Sequence, residues 1–165
     1  MNGFLILDKP KGVTSANCVY KLRKLLGIKK IGHCGTLDPL ATGLLPICIG
    51  EATKFSAFMS NLDKTYEVDI SFGLETDTGD IEGEIISKGV NNFKEADLKR
   101  VLKLFEGPQT QIPPMYSALK NGGKPLYWWA RKGVFLLRKE RNITIHKIEL
   151  IEFSKNVAKL EIFCT

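Results

Sequence analysis

The chain has 165 residues, 44% of them apolar, which suits one domain that buries a hydrophobic core without the help of disulfides. It has no apolar run of membrane-spanning length and no cationic leader, so we predict a soluble cytoplasmic protein that makes no use of a membrane. Four cysteines without C-x-x-C spacing and only two histidines predict free thiols and no structural metal site.

The formal net charge of +6 is concentrated in two segments. Residues 9–30 carry seven Lys or Arg residues and no acid, and residues 109–141 carry seven against a single acid, Glu140. Such segregation is typical of a protein that binds a polyanion on one face, but two solvated helix faces would give the same pattern. Charge alone leaves both interpretations open.

The first third of the chain predicts two strands and two helices around an irregular loop. The run FLILD predicts a strand that ends in a Pro/Gly turn. A helix should follow, with Thr14 or Ser15 as its cap, Gly27 at its end and an apolar face formed by Val19, Leu22, Leu25 and Leu26. After the loop GHCGTLDPLATG, LLPICIG has strand length and EATKFSAFMSN suits a short helix.

The rest of the chain mixes strands and helices. TYEVDISFG alternates through Tyr66, Val68, Ile70 and Phe72, which predicts a half-buried strand. A helix from about Lys94 to Glu106 should end at Gly107-Pro108, with an apolar face formed by Leu98, Val101, Leu102 and Phe105. ITIHKIELIEF and VAKLEIFCT predict two closing strands, and the order without a strict βαβ repeat favours an α+β fold. The acidic turn LETDTGDIEGE misses the spacing of a calcium loop, so no metal is predicted there.

The loop GHCGTLDPLATG holds one carboxylate, Asp38, directly before a proline. Proline pushes the preceding residue into an extended backbone, and the flanking glycines allow a ligand to approach closely. Asp38 could form an Asx-turn that satisfies nearby amides, or it could be a nucleophile toward an electrophilic carbon. A Cys34 nucleophile with His33 as its base is disfavoured, because adjacent residues rarely point toward one another.

Four segments, in order, carry a family resemblance. GHCGTLDPLATGLLPICIGEATKF closely resembles the central motif of TruB-type tRNA pseudouridine synthases, and LDKPKG resembles their first motif. DKTYEVDISFGLETDTGD and IPPMYSALKNGGKPLYWWARKG are similar to two further family segments. The resemblance implies an α+β pseudouridine synthase fold with a mixed, mainly antiparallel sheet, flanking helices and an RNA-gripping thumb at about residues 109–141. It also implies an isomerase that converts uridine to pseudouridine in the T-loop of tRNA without cofactor or metal.

By this resemblance Asp38 is the nucleophile, attacking either the base or the sugar of a flipped-out uridine. His33 would occupy or support the vacated space, where the alternative is a hydrogen-bonded loop histidine. Tyr66 would stack on the flipped uracil, where the alternative is a core aromatic of the strand. Lys9 and Pro10 in the first motif would shape the floor of the site.

The thumb supplies the expected contacts to the RNA backbone, namely Lys120, Lys124, Arg131 and Lys132. Its aromatic residues Tyr127, Trp128 and Trp129 are expected to pack the short thumb helix rather than stack on RNA, and the Trp pair departs from the family pattern.

The implied partner is the T-arm of tRNA, with no obligate protein partner. A guide-RNA branch of the family shares the central motif and acts within a ribonucleoprotein, but LATGLLPICIGEATK is more similar to the stand-alone bacterial type.

Family members continue past Thr165 with a second active-site tyrosine, an arginine that pairs with the nucleophile, and usually a C-terminal RNA-binding domain. We therefore expect residues 1–165 to be a C-terminally truncated catalytic domain with little or no activity alone. A non-catalytic RNA-binding fragment is the alternative.

Overall fold

The computed structural model describes all residues, 1–165, which divide into two compact units, Met1–Leu62 and Asp63–Thr165. Each unit has its own antiparallel sheet and its own hydrophobic core. The combination of helices with antiparallel sheets agrees with the predicted α+β class. None of the helices has the length and apolar character needed to cross a membrane.

The first unit is a three-stranded sheet with one long helix. Its elements are β1 (Gly3–Lys9), α1 (Ser15–Leu26), β2 (Ile31–His33), β3 (Gly43–Ile49), a 3-10 helix (Gly50–Phe55) and α2 (Ser56–Ser60). The strand order is β1-β3-β2, and both pairings are antiparallel. His33, at the end of β2, pairs with Ile47 in the second half of β3, whereas Lys9 pairs with Gly43, so the end of β1 and the start of β3 share one end of the sheet. The first motif and the Asp38 loop leave the sheet there.

The bounds of α1 follow from its capping residues. Thr14 is the N-cap, since its hydroxyl accepts a hydrogen bond from the Asn17 amide at 3.1 Å. Gly27 ends the helix in the left-handed conformation at φ 66°, which costs glycine little. Of the two caps that the sequence left open, the structure selects Thr14 and places Ser15 at the first helical position.

The buried part of α1 is shorter than its apolar face. Val19 is buried and Leu22 packs against the same core, as expected. Leu25, however, is 79% exposed and Leu26 37%, so the apolar face extends past the part of the helix that the core covers. Helical periodicity identifies the side of a helix that faces the core. How far along the helix that side is buried depends on the extent of the element packed against it.

The second unit is built on a four-stranded sheet with the order β4-β11-β10-β7. Its elements are β4 (Lys64–Ser71), β5 (Leu74–Thr76), β6 (Ile85–Lys88), α3 (Glu95–Lys103), β7 (Gly107–Gln111), β8 (Lys120–Asn121), β9 (Lys124–Pro125), α4 (Leu126–Ala130), β10 (Arg141–Ser154) and β11 (Val157–Cys164). Strands β4, β10 and β11 and the short thumb helix α4 confirm their predictions. Six short strands, β2 and β5 to β9, were not predicted.

Helix α3 is shorter than expected and buries fewer residues. Leu98 is buried and Leu102 packs in the same cluster, beside the sheet residues Ala158 and Leu160. Val101, on the predicted apolar face, is 43% exposed, and Phe105 lies past the end of α3 and is 49% exposed. The acidic turn forms the tip of the β5–β6 hairpin.

Candidate active site

The loop between β2 and β3 exposes the Asp38 side chain to solvent. The backbone carbonyl of Asp38 accepts a hydrogen bond from the Ala41 amide at 3.1 Å, which closes a tight turn. The carboxylate takes no part in this turn, so the predicted Asx-turn alternative is not what forms here. A carboxylate that is free of local partners can act on a bound ligand.

The two neighbours of Asp38 are held by their backbone groups. The Ser15 hydroxyl accepts from the Leu37 amide at 3.0 Å and donates to the Leu37 carbonyl at 3.1 Å. The Pro39 carbonyl accepts from the Gly12 amide at 2.7 Å and from Lys9 Nζ at 3.4 Å. The chain between Lys9 and Ser15 thus fixes the backbone on both sides of the exposed acid.

Lys9, at the end of β1, contacts the Asp38 loop through the Pro39 carbonyl, and Pro10 follows it directly. Lys9 is fully buried, and its ammonium donates to the carbonyls of Pro10 at 3.0 Å and Val13 at 2.6 Å besides that of Pro39. Three carbonyl acceptors around one buried ammonium satisfy its donors. Lys9 therefore joins the first motif to the Asp38 loop from within the protein.

His33 is the last residue of β2 rather than part of an irregular loop. Its Nδ1 bonds the Gly35 carbonyl, so this nitrogen carries the proton and a neutral ring keeps Nε2 as an acceptor. The Cys34 thiol is buried beside that of Cys48, with 2.7 Å between the two sulfurs. Burial, together with the neighbouring thiol, raises the pKa of Cys34 to about 12. A thiol that stays protonated and is not bonded to His33 is a poor nucleophile, which argues against the Cys34–His33 pair.

In the second unit, Tyr66 lies on the edge strand β4, opposite Ile162. It shares a sheet face with Ile70, which packs beside α3 in the core. Tyr66 itself is 44% exposed and lies outside that core cluster, so the alternative of a fully buried core aromatic does not hold. Burial raises the pKa of its hydroxyl, with a smaller contribution from Cys164, so the ring is neutral at physiological pH. A partly exposed aromatic ring is suited to stacking.

Three of the four predicted backbone-binding cations lie against aromatic rings of the thumb. The ammonium groups of Lys124 and Lys132 are 5.5 and 4.0 Å from the ring centre of Trp128, and the Arg131 guanidinium is 5.4 Å from that of Tyr127. These are cation–π distances.

The two tryptophans also pack within the thumb. Trp128 and Trp129 meet edge to face with 4.7 Å between their ring centres, and Trp129 Nε1 donates to the Asn121 carbonyl at 3.3 Å. These contacts agree with the expectation that the aromatic residues pack the thumb helix.

The fourth predicted cation, Lys120, lines a groove of about 530 Å³ that sequence analysis did not find. Arg138, Lys139 and Arg141 line the same groove, and the buried Nε of Arg138 has no hydrogen-bond partner. An unpartnered guanidinium nitrogen among further cations favours an anionic ligand. The run RKER at 138–141 was the available signal, but its convergence with Lys120 depends on the thumb fold. A larger groove of about 740 Å³ between α3 and β10 contains none of the predicted site residues.

The predicted residues are divided between the units. Met1–Leu62 carries Lys9, Pro10, His33 and Asp38, with the first motif and the Asp38 loop in direct contact. Asp63–Thr165 carries Tyr66 and the four thumb cations.

Comparison with known proteins gives one consistent result. The model of the TruB family pseudouridylate synthase N-terminal domain matches residues 23–165. A tRNA pseudouridine synthase B of Chromobacterium violaceum is 48% identical over 165 residues, which are 100% of this chain and 54% of that protein. The synthase of the same name from Bordetella avium is 47% identical over 168 residues, covering 100% of this chain and 69% of its own length. The chain thus spans about half to two thirds of these curated relatives.

Solved structures share the fold. A Cbf5-Nop10-Gar1 complex matches with a TM-score of 0.70 and 26% identity, over 98% of this chain and 39% of that one. An H/ACA ribonucleoprotein bound to a substrate RNA containing 2′-deoxyuridine matches with a TM-score of 0.68 and 22% identity, over 98% and 37%.

Proposed function

The chain belongs to the TruB family of pseudouridylate synthases, and we propose that it carries the catalytic part of an enzyme that converts uridine to pseudouridine in the T-loop of tRNA. The names of the relatives support tRNA as the substrate. The chain is 47–48% identical to these tRNA enzymes, against 26% for the Cbf5 complex, which favours a stand-alone tRNA enzyme over a guide-RNA assembly. Residues 1–165 then form one catalytic domain, with 109–141 as the thumb.

The observation that carries the proposal is the presentation of Asp38. Its carboxylate is exposed and takes no local hydrogen bond, while the backbones of Leu37 and Pro39 are each held by the segment of residues 9–15. A nucleophile must be free to react and yet held at a fixed angle. A surface acid that only adds solubility requires no such anchoring.

In the reaction, Asp38 attacks the flipped uridine at the base or at the sugar. The bond from N1 to C1′ breaks and the base turns. C5 is then joined to C1′, the bond to Asp38 is released, N1 takes up a proton, and the C5 proton is lost to solvent. The freed base must remain in the site while water is excluded, since hydrolysis would otherwise follow.

The remaining residues hold the RNA. Extracting a paired base costs a few kcal/mol, which stacking can offset. Tyr66 stacks on the uracil, His33 occupies or supports the space that the base leaves, and Lys9 and Pro10 shape the floor of the site. In the thumb, Lys120, Lys124, Arg131 and Lys132 contact phosphates, and the groove that holds Lys120 adds further cations.

The test is release of tritium from a T-arm hairpin labelled at uridine C5, with protein in excess over RNA so that slow turnover is visible. We expect release that falls at least about 1,000-fold in Asp38→Asn, as for other catalytic nucleophiles. Asp69→Asn, which changes an exposed carboxylate on β4, is the matched control and should keep the wild-type rate. A hairpin that binds but releases no tritium would support the non-catalytic RNA-binding alternative instead.

A further inference from the structure

We propose that Ser15 is a positioning residue for Asp38, holding the Leu37 backbone and thereby the direction of the adjacent carboxylate. The inference rests on the proposed role of Asp38. Ser15 is only 2% exposed, and its hydroxyl both accepts from the Leu37 amide and donates to the Leu37 carbonyl. One hydroxyl thus satisfies both polar backbone groups of the residue directly before the acid.

Such a paired contact restricts rotation of the backbone. The Leu37 carbonyl shares a peptide plane with the Asp38 amide, so the bond to Ser15 fixes the plane from which Asp38 starts. On the other side, the Pro39 ring fixes φ, and the Pro39 carbonyl is held by Gly12 at 2.7 Å. Asp38 keeps mainly its side-chain torsions free. Its carboxylate can then sweep a small region, as a nucleophile requires.

The helix that carries Ser15 does not need this hydroxyl. Thr14 supplies the N-cap bond to the Asn17 amide, so the Ser15 side chain is directed to Leu37 instead. The Leu37 side chain packs against the α1 core independently of these bonds. Ser15→Ala should therefore fold, with Leu37 still packed but its backbone released. Thr14→Ala is a matched control, because it removes one hydroxyl from the same helix start without touching Leu37.

The first readouts need no turnover. In Ser15→Ala we expect the Leu37 amide to exchange with solvent at least about tenfold faster than in the wild type. The order parameter of the Asp38 amide, from ¹⁵N relaxation, should fall from about 0.85 to below about 0.6. Thr14→Ala should leave both values near those of the wild type. Wild-type values for both in Ser15→Ala would overturn the proposal.

The second readout separates positioning from folding. In the tritium assay, Ser15→Ala should lower the saturating rate by about 10- to 100-fold at an unchanged half-saturating RNA concentration. Thr14→Ala should lose rate only in proportion to its unfolded fraction. Equal losses in the two variants would reduce Ser15 to a structural role. If residues 1–165 release no tritium, that result concerns the activity of the chain and not Ser15, and the exchange and relaxation data still decide whether Ser15 orders the backbone at Asp38.

Discussion

Lys9 is the one charged side chain in the buried interior, and its contacts explain why the position tolerates a charge. The ammonium exchanges water for the carbonyls of Pro10, Val13 and Pro39, two of them at 3.0 Å or less. A buried cation is stable only when such acceptors surround it. The hydrogen bonds that offset the cost of burying the ammonium also hold the turn after β1 against the Asp38 loop. They therefore order the candidate site.

Lys9→Met should therefore destabilise the first unit by about 3 kcal/mol, since the carbonyls lose their donor while staying buried. The measurement is hydrogen exchange of the β1 and β3 amides in increasing urea, because both tryptophans lie outside this unit. Lys11→Met is the control, since Lys11 lies in the same turn with its side chain exposed and should change stability by less than about 0.5 kcal/mol. Equal losses in the two variants would contradict the role given to the Lys9 contacts.

The Cys34 thiol makes stability depend on pH in the alkaline range. Burial and the Cys48 thiol raise its pKa from 9.0 to about 12. Above pH 9 the unfolded chain releases this proton and the folded chain does not, so the contribution is complete below pH 9 and is lost as pH rises toward 12. We expect the stability of the first unit to fall between pH 8.5 and 10.5, in part through Cys34, with a smaller fall in Cys34→Ala. Urea unfolding at each pH measures both slopes, and equal slopes would mean that Cys34 does not contribute.

At the scale of elements, the sequence predicted those with enough residues to show a period. Strand β4 with eight residues, β10 with 14 and α1 with 12 have clear alternation or helical spacing. Strands β8 and β9 have two residues each, and β2 and β5 have three, which is too few for any period. Such strands form because a longer partner or a Gly-Gly turn brings them into register.

The limits of helix burial have the same origin. The exposed Leu25 of α1 and Val101 of α3 satisfy the helical spacing but lie where no sheet residue covers them. Apolar spacing is a local property, whereas cover depends on the extent of the opposing sheet.

The candidate site divides in a similar way. Asp38, His33 and Tyr66 stand in contiguous motifs, so the sequence could identify them as candidates. The partner of Leu37 is 22 residues away along the chain, and the groove cations lie up to 21 positions from Lys120. Nothing local marks those pairings, since they exist only once the chain has folded.

At the scale of the molecule, net charge overstates how much of the basic N-terminal segment can bind a polyanion. Lys9 is buried, the Arg23 guanidinium donates to the Ile31 carbonyl at 2.5 Å, and Lys30 pairs with Glu51 at 2.6 Å. Three of the seven cations in residues 9–30 are thus used within the protein. In the thumb, the groove beside Lys120 keeps its cations together, with one guanidinium nitrogen unpartnered. The thumb groove is therefore the stronger candidate for contacts to the RNA backbone.

The salt dependence of RNA binding tests that assignment. Replacing Lys120 and Lys139 together by Gln should weaken binding of a T-arm hairpin by about tenfold in low salt. It should also reduce the slope of log Kd against log salt by about 1.5, since two phosphate contacts are lost.

The matched control replaces Lys99 and Lys103 by Gln, which removes the same charge from the groove between α3 and β10. Because long-range attraction depends on total charge, the control should weaken binding slightly, with little change in the slope. Fluorescence anisotropy titrations from 50 to about 400 mM salt give both quantities. Equal slopes in the two double variants would mean that the RNA senses only the net charge of the chain, and that the thumb groove binds no phosphate.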